Sequence, residues 1–158
     1  MSPSSGAFVI REATAADVDI IVHHRRSMFA DMGKSNERGR EAMARTARPM
    51  IEAALKDGSY RAWLVEIDGR VIAGGGVHIV PFQPTPLFPD PRRAWILNVY
   101  TEPEFRRQGL ARLVLETILM WCRKEGLKRV FLHSSDFGRP LYESLGFEPT
   151  SEMKLVLK

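Results

Sequence analysis

Trp95-Ile96-Leu97-Asn98-Val99-Tyr100-Thr101-Glu102-Pro103-Glu104-Phe105-Arg106-Arg107-Gln108-Gly109-Leu110-Ala111-Arg112 reads as a strand, a basic turn and the start of a helix. Trp95 to Thr101 is aromatic and β-branched enough for a buried strand, and Pro103 stops it. From Leu110 apolar residues recur at helical spacing, at Leu110, Val114, Ile118 and Trp121. Arg106 to Arg112 therefore sits where a helix begins. The first N–H groups of a helix lack internal acceptors and carry partial positive charge, so that end attracts anions. Gly109 and Ala111 are small enough to let a phosphate reach those amides, while Arg106, Arg107 and Arg112 add attraction at longer range. The spacing predicts a pyrophosphate ligand. It is neither a P-loop, since no Gly-Lys-Ser/Thr follows, nor a dinucleotide fingerprint, since only one glycine is present.

Around this stretch, the 158 residues are enough for one domain with a core of its own, expected over residues 8–158. Residues 1–7 are rich in Ser, Pro and Gly and are expected to form a flexible tail. The chain has a single cysteine, so no internal disulfide can form; Cys122 beside Trp121 reads as a small buried hydrophobe. No charged and apolar leader opens the chain and no apolar run is long enough to span a bilayer, which points to a soluble, cytoplasmic protein without membrane partners. The net charge of +4 admits polyanions. Its basic residues are scattered, with no zinc-finger spacing and no aromatic-basic stripe, which argues against nucleic acid.

Phe8 to Arg11 is expected as a first strand. Thr14, with Asp17 three residues on, caps a helix whose apolar face runs from Val18 through Ile21, Val22, Met28 and Phe29 to Met32, ending at Gly33. A second helix is expected from Glu37 to Leu55, kinked or divided by Pro49. His23 and His24 fall on a mostly polar stretch and read as solvated. Tyr60–Ile67 and Val71–Val80 flank Asp68-Gly69, a hairpin turn signal. Gly74-Gly75-Gly76 marks a bulge or a close approach. Five prolines between Pro81 and Pro91 make a stiff extended loop, whose Phe82, Leu87 and Phe88 either cap a pocket or pack on the domain. After the long helix, which ends at Gly126, come a strand at Arg129–His133, a short helix from Pro140 to Leu145 capped by Ser135 or Asp136, and a strand from Glu152 to Lys158 that closes the sheet. The order favours an α/β fold, a mixed sheet with helices on both faces.

Arg-x-x-Gly-x-Ala after a strand and opening a long helix, followed by a further strand and then Leu141-Tyr142-Glu143-Ser144-Leu145-Gly146-Phe147, resembles the GNAT acetyltransferase superfamily. The resemblance runs from about Trp95 to Phe147. It implies the acyl-CoA N-acyltransferase fold, in which the strand ending near Thr101 and the strand from Arg129 run parallel and splay apart to admit acetyl-CoA, with no metal. On that resemblance Val99, Tyr100 and Thr101 present their backbone to the pantetheine arm. Arg106, Arg107, Gln108, Gly109, Leu110, Ala111 and Arg112 surround the pyrophosphate, and Tyr142 faces the sulfur as proton donor. Where many members carry Asn before the last helix, this chain has Ser134, Ser135 and Asp136, so Ser135 is the candidate there. Many members also place a Glu on the central strand as general base, but Ala94 to Thr101 holds no acid. His78 is the ionisable candidate, imidazole being the side chain that titrates nearest neutrality; Asn98 could instead order a water. The implied activity is acetyl transfer to a primary amine of a small molecule or peptide by direct attack in a ternary complex, and the alternative is an acyl-CoA-binding module without turnover. The family often dimerises, which makes a homodimer an open expectation.

Overall fold

The computed structural model describes residues 6–158. Most of the expected tail, residues 1–5, lies outside the described residues; Gly6 and Ala7 precede the first strand without regular structure. The elements follow as β1 (Val9–Glu12), α1 (Val18–Met32), α2 (Glu37–Asp57), β2 (Tyr60–Ile67), β3 (Arg70–Pro81), β4 (Arg92–Thr101), α3 (Leu110–Lys124), β5 (Val130–Phe131) and α4 (Arg139–Ser144). The sheet order is β1-β2-β3-β4-β5. Pairing is antiparallel from β1 to β4 and parallel between β4 and β5, so the sheet is mixed.

Local chemistry accounts for most boundaries. Thr14 and Asp17 form a reciprocal capping box on a 3-10 turn that leads into α1. Arg11 holds Asp17 through a two-pronged contact, 2.8 and 2.9 Å, and reaches Glu66 on β2 at 2.8 Å. The guanidinium holds the Asp17 carboxyl below its ordinary range. Asp68 and Gly69 both take positive φ, 50° and 78°, as a two-residue hairpin of this hand requires. Pro49 does not divide the second helix, which is continuous through it. The proline and Arg45 four residues before it are both exposed, so the carbonyl that loses its donor faces water.

Alternation along β2 separates the two faces. Trp63, Val65 and Ile67 pack with Val114, Leu115, Ile118 and Cys122 of α3; Tyr60, Ala62 and Leu64 pack with Ile21 of α1 and Ala54 of α2. Cys122 is a buried apolar filler, its thiol pushed up to about 11 by burial. Between these layers the three glycines of β3 are needed for close approach. A Cβ on Gly75 would stand 2.9 Å from Val114 Cγ1, and one on Gly76 would stand 2.3 Å from the Tyr60 hydroxyl oxygen. The proline-rich loop packs on the domain through Phe82 over Arg93 (4.1 Å) and Phe88 over Arg129 (4.1 Å), while Leu87 points to solvent.

Two expected strands differ. The strand after α3 is only Val130–Phe131, because two ladder positions tie it to β4 and, among the described residues, no strand lies on its other side. The expected closing strand, Glu152–Lys158, forms no ladder: Met153, Leu155, Val156 and Leu157 are all exposed. Its apolar alternation is real, but a strand needs a hydrogen-bonding neighbour, and the segment pairs with none among the described residues.

Gly76→Ala should destabilise the fold by about 1–3 kcal/mol, because the Tyr60 ring is buried and cannot retreat from a new methyl group. The urea midpoint should fall with an unchanged m-value; an unshifted midpoint would mean that the Tyr60 ring does not lie this close to β3.

Candidate active site

The site begins with one extra residue in β4. Its ladder to β3 runs from Leu97 opposite Gly76 to Tyr100 opposite Gly74, so Gly75 faces both Asn98 and Val99. Asn98 is the bulged residue, with φ of 61°, a left-handed conformation that asparagine tolerates better than branched side chains. Its side chain is buried on the α1 face. Nδ2 donates to the Tyr60 hydroxyl at 2.9 Å, and Oδ1 accepts from Arg25 Nη1 at 3.0 Å. Burial pushes the Tyr60 phenol up to about 12, keeping it neutral as the hydroxyl partner. Both ends of the Asn98 amide are thus engaged by protein, which pins the bulge more directly than it would order a water.

Beyond Trp95, opposite Phe131, β4 continues to Thr101 with no strand on its β5 side among the described residues. Val99 packs toward α3, a Cβ on Gly75 falling 3.1 Å from its Cγ2, while Tyr100 turns to α1 against His24, ring centres 5.3 Å apart. The chain after β5 crosses to α4. Ser135 Oγ accepts the Gly138 amide at 3.1 Å and so caps the turn that leads into α4. Tyr142 on α4 is half-buried, stacked edgewise on Phe147, and burial raises its phenol above the ordinary range. Its hydroxyl has no protein hydrogen-bond partner among the described residues.

At the start of α3, Arg107 and Gly109 both take left-handed backbone, φ of 63° and 79°. Gly109 occupies the N-cap position without a side-chain cap, and within 4 Å of where its Cβ would stand there is nothing. The amides from Gln108 to Arg112 bond no carbonyl outside the helix among the described residues, which leaves the first-turn N–H groups facing open space. The arginines divide their work. Arg106 donates to Thr101 O (3.0 Å) and to Asp31 (2.6 Å), so its guanidinium ties the turn to α1. Arg112 donates to Ser144 Oγ at 2.6 Å and pairs with Glu116, linking α3 to α4. Arg107 is exposed and makes no ion pair among the described residues.

His78 lies on the α1 face of β3, edge-on to Tyr60 with ring centres 6.2 Å apart, on the face where Asn98 emerges. His24 corrects the sequence reading. It is 1% exposed, because it lies one helical step from Ile21 on the stripe of α1 that packs against β4. Its Nε2 has no partner among the described residues, and burial, with His23 beside it, pulls its pKa down to about 4. His23 remains largely exposed and bonds Glu102 at 2.9 Å. Three-residue spacing from Ile21 was the available signal for His24. Nothing in the order of residues pairs Arg25, Tyr60 and Asn98, which meet only across the sheet. Among the described residues no group of three or more His, Cys, Asp or Glu side chains could hold a metal ion, and no helix is long and apolar enough to cross a membrane.

Comparison with known proteins places this geometry among relatives. The sequence matches the family model described as Acetyltransferase (GNAT) family over residues 23–147. Human N-acetyltransferase 8 is 28% identical over 93 residues, which are 57% of this chain and 39% of the human protein; human N-acetyltransferase 8B is 29% identical over the same shares. The chain thus spans about two-fifths of the length of these curated relatives. The crystal structure of a GCN5-related N-acetyltransferase from Ralstonia eutropha JMP134 superposes with a TM-score of 0.91 at 28% identity, covering 96% of this chain and 99% of that one. A likeness of fold extends to an acetyltransferase with acetyl-CoA from Clostridium acetobutylicum, with a TM-score of 0.88, 24% identity and 96% of each chain covered.

Burial of neutral His24 sets a pH window for stability. Its folded pKa of about 4 lies below its ordinary value of 6.5, so the unfolded chain binds the proton that the folded one refuses. Stability should therefore fall as pH drops from about 6.5 to about 4, by up to about 3 kcal/mol, and level off below that for this group. Urea unfolding of wild type and His24→Leu across pH 4 to 7 should show the slope in the wild type and a flatter curve in the variant; parallel curves would contradict a buried neutral imidazole.

Proposed function

Because the chain belongs to the GNAT acetyltransferase family, we propose that it moves an acetyl group from acetyl-CoA to a primary amine by direct attack within a ternary complex. The observation that carries this reading is the parting of β4 from β5 after Trp95, beside an α3 start whose amides face open space at Gly109. A pantetheine arm carries amide groups and needs a strand edge to pair with; a pyrophosphate needs unpaired N–H donors. The open edge from Val99 to Thr101 answers the first need, and the amides of Gln108, Gly109, Leu110, Ala111 and Arg112 answer the second. Arg107, which makes no ion pair among the described residues, would meet the phosphates. Arg106 and Arg112 act by position, the one clamping the turn to α1 and the other holding α4, and with it Tyr142, against α3. Ser135 supports the same turn into α4.

In this reading the amine approaches from the α1 face, where the bulge at Asn98 presents the strand. The nitrogen forms its bond to the acetyl carbon as the carbon–sulfur bond breaks. Tyr142, kept protonated by burial, gives its proton to the leaving sulfur, and His78 takes the proton shed by the amine, directly or through water. The acceptor is an amine of a small molecule or peptide. Thiol release from acetyl-CoA across a panel of amines, with acceptor-free hydrolysis subtracted, tests the activity; tight acetyl-CoA binding with no release on any amine would favour a binding module without turnover.

Gly109→Asp should weaken CoA binding by on the order of 1–3 kcal/mol, since a charged side chain would fill the open space before the amides. Adenosine, which lacks the pyrophosphate, should bind the variant and the wild type alike. Unchanged CoA affinity by calorimetry in a folded variant would remove the helix start from the site.

Tyr142→Phe should keep fold and CoA affinity and lower kcat by roughly 10–100-fold. Acyl donors with more acidic leaving thiols need less help from a donor, so the defect should shrink with an aryl thioester. A defect equal for both donors would make the ring structural, and wild-type turnover would remove the phenol from the mechanism.

A further inference from the structure

Arg25 is a positive charge without a counter-ion. It lies half-buried on α1, where its Nη1 donates to Asn98 Oδ1 at 3.0 Å. Its Cζ stands 5.1 Å from the centre of the Phe29 ring, one helical turn on, so the guanidinium is held at two points. Among the described residues no Asp or Glu acts on it. Burial lowers its pKa, and the one ionisable group opposing that is the Tyr60 phenol, which is neutral and offers no counter-charge. The arginines around it differ. Arg26, the next residue, meets Glu37 at 2.6 Å and Glu41 at 2.7 Å; Arg48 on α2 meets Asp19 at 3.0 Å; Arg106 meets Asp31 at 2.6 Å.

Pinning the Asn98 amide does not call for such a group. Asn98 Oδ1 is a neutral acceptor and engages one of the five N–H donors that a guanidinium carries. A cation taken partly out of water costs free energy unless an anion meets it, and the planar fork of an arginine matches the two oxygens of a carboxylate. The protein gives its neighbouring arginines carboxylates and gives Arg25 none. The missing anion is then one that a ligand brings.

Position narrows the ligand. Asn98 directly precedes Val99, where the strand edge proposed for the pantetheine arm begins, and Arg25 reaches it from the α1 face, the side from which the amine is proposed to approach. The phosphates of CoA belong in that reading to the start of α3, so the anion at Arg25 is a second one and comes with the acceptor. Successive residues of a strand are only about 3.3 Å apart, which puts the acceptor's anion and its reacting nitrogen close together on a small molecule. We infer that Arg25 recognises the carboxylate of the acceptor, and that the acceptor is a free amino acid with one or two carbons between its amine and its carboxylate. This rests on the acetyl-transfer reading and gives that reading its substrate class.

Thiol release should be followed for the standard α-amino acids and β-alanine, each beside its carboxamide, with spermidine as an amine that lacks a carboxylate. In the wild type at least one acid should exceed its amide in kcat/KM by about 10–100-fold, mainly through KM. In Arg25→Gln, whose side-chain amide can still donate to Asn98, that ratio should collapse toward one; Arg25→Lys, which keeps the charge without the fork, should keep part of it. Differences in amine basicity within a pair cancel when the ratios of two enzyme forms are compared. An equal loss on acid and amide in Arg25→Gln would make Arg25 a positioning residue for the bulge and overturn the inference, as would spermidine or an amide as the best substrate. Should Arg25→Gln not fold, the wild-type ratios and Arg25→Lys decide. If no amine releases thiol, the acetyl-transfer reading fails, and calorimetry of the same pairs on the chain saturated with CoA tests the carboxylate site alone: binding of an acid but not of its amide, lost in Arg25→Lys or Arg25→Gln, supports it, and no binding of any acid overturns it.

Discussion

The site depends on one conformational constraint, the bulged residue of β4. A strand that pairs regularly on both sides would carry β5 along its whole length and leave no gap. Asn98, turned left-handed and held by Arg25 and Tyr60, adds a residue and a local twist to β4. Pairing with β5 stops three residues before it, and the edge beyond is exposed to whatever enters between the strands. The three glycines opposite serve the same end, for the bulge needs room and α3 must still reach the sheet at Val114. The buried amide that holds this backbone sits on the face where α1 packs, so the N-terminal helices stabilise the gap as well as covering the sheet.

Charge is used more sparingly at the proposed phosphate site than the run of arginines suggests. Arg106 and Arg112 are committed to Asp31, Thr101, Ser144 and Glu116, and so fasten the turn to α1 and α4. In the proposed site this would leave an anion chiefly to backbone amides, whose positions are set by helix geometry and by left-handed Arg107 and Gly109. Such donors are held in place before a ligand arrives, whereas a free arginine side chain must be ordered by it. Polar pairing elsewhere follows the same economy: Tyr60, Asn98 and Arg25 satisfy one another inside, and His24 is carried inside neutral.

Much was legible in the residue order because it is locally determined. Asp68-Gly69 favours a tight hairpin turn, and Thr14 with Asp17 a cap; each depends on neighbours a few residues away, and each stands where expected. Periodicity likewise identified α1, α2, α3 and the face of α3 that meets the sheet. The family followed from the Arg-x-x-Gly-x-Ala turn and the Leu-Tyr-Glu-Ser-Leu-Gly-Phe run taken together, and the match over residues 23–147 bears it out.

What tertiary structure decided was every pairing between distant residues and every consequence of burial. His24 looks solvated among polar neighbours, yet it is enclosed because α1 lies on β4. Arg106 looks like a phosphate ligand, yet Asp31, 75 residues earlier, claims it. Glu152–Lys158 has the alternation of a strand, but whether a strand forms depends on a neighbour's free hydrogen-bonding edge, which the segment's own residues cannot supply. Sequence by itself determined the turns, caps and amphipathic faces, since these are short-range properties of backbone and side chain. The gap between β4 and β5, the partners of each arginine and the burial of each histidine come from contacts across the sheet, which only the folded chain brings together.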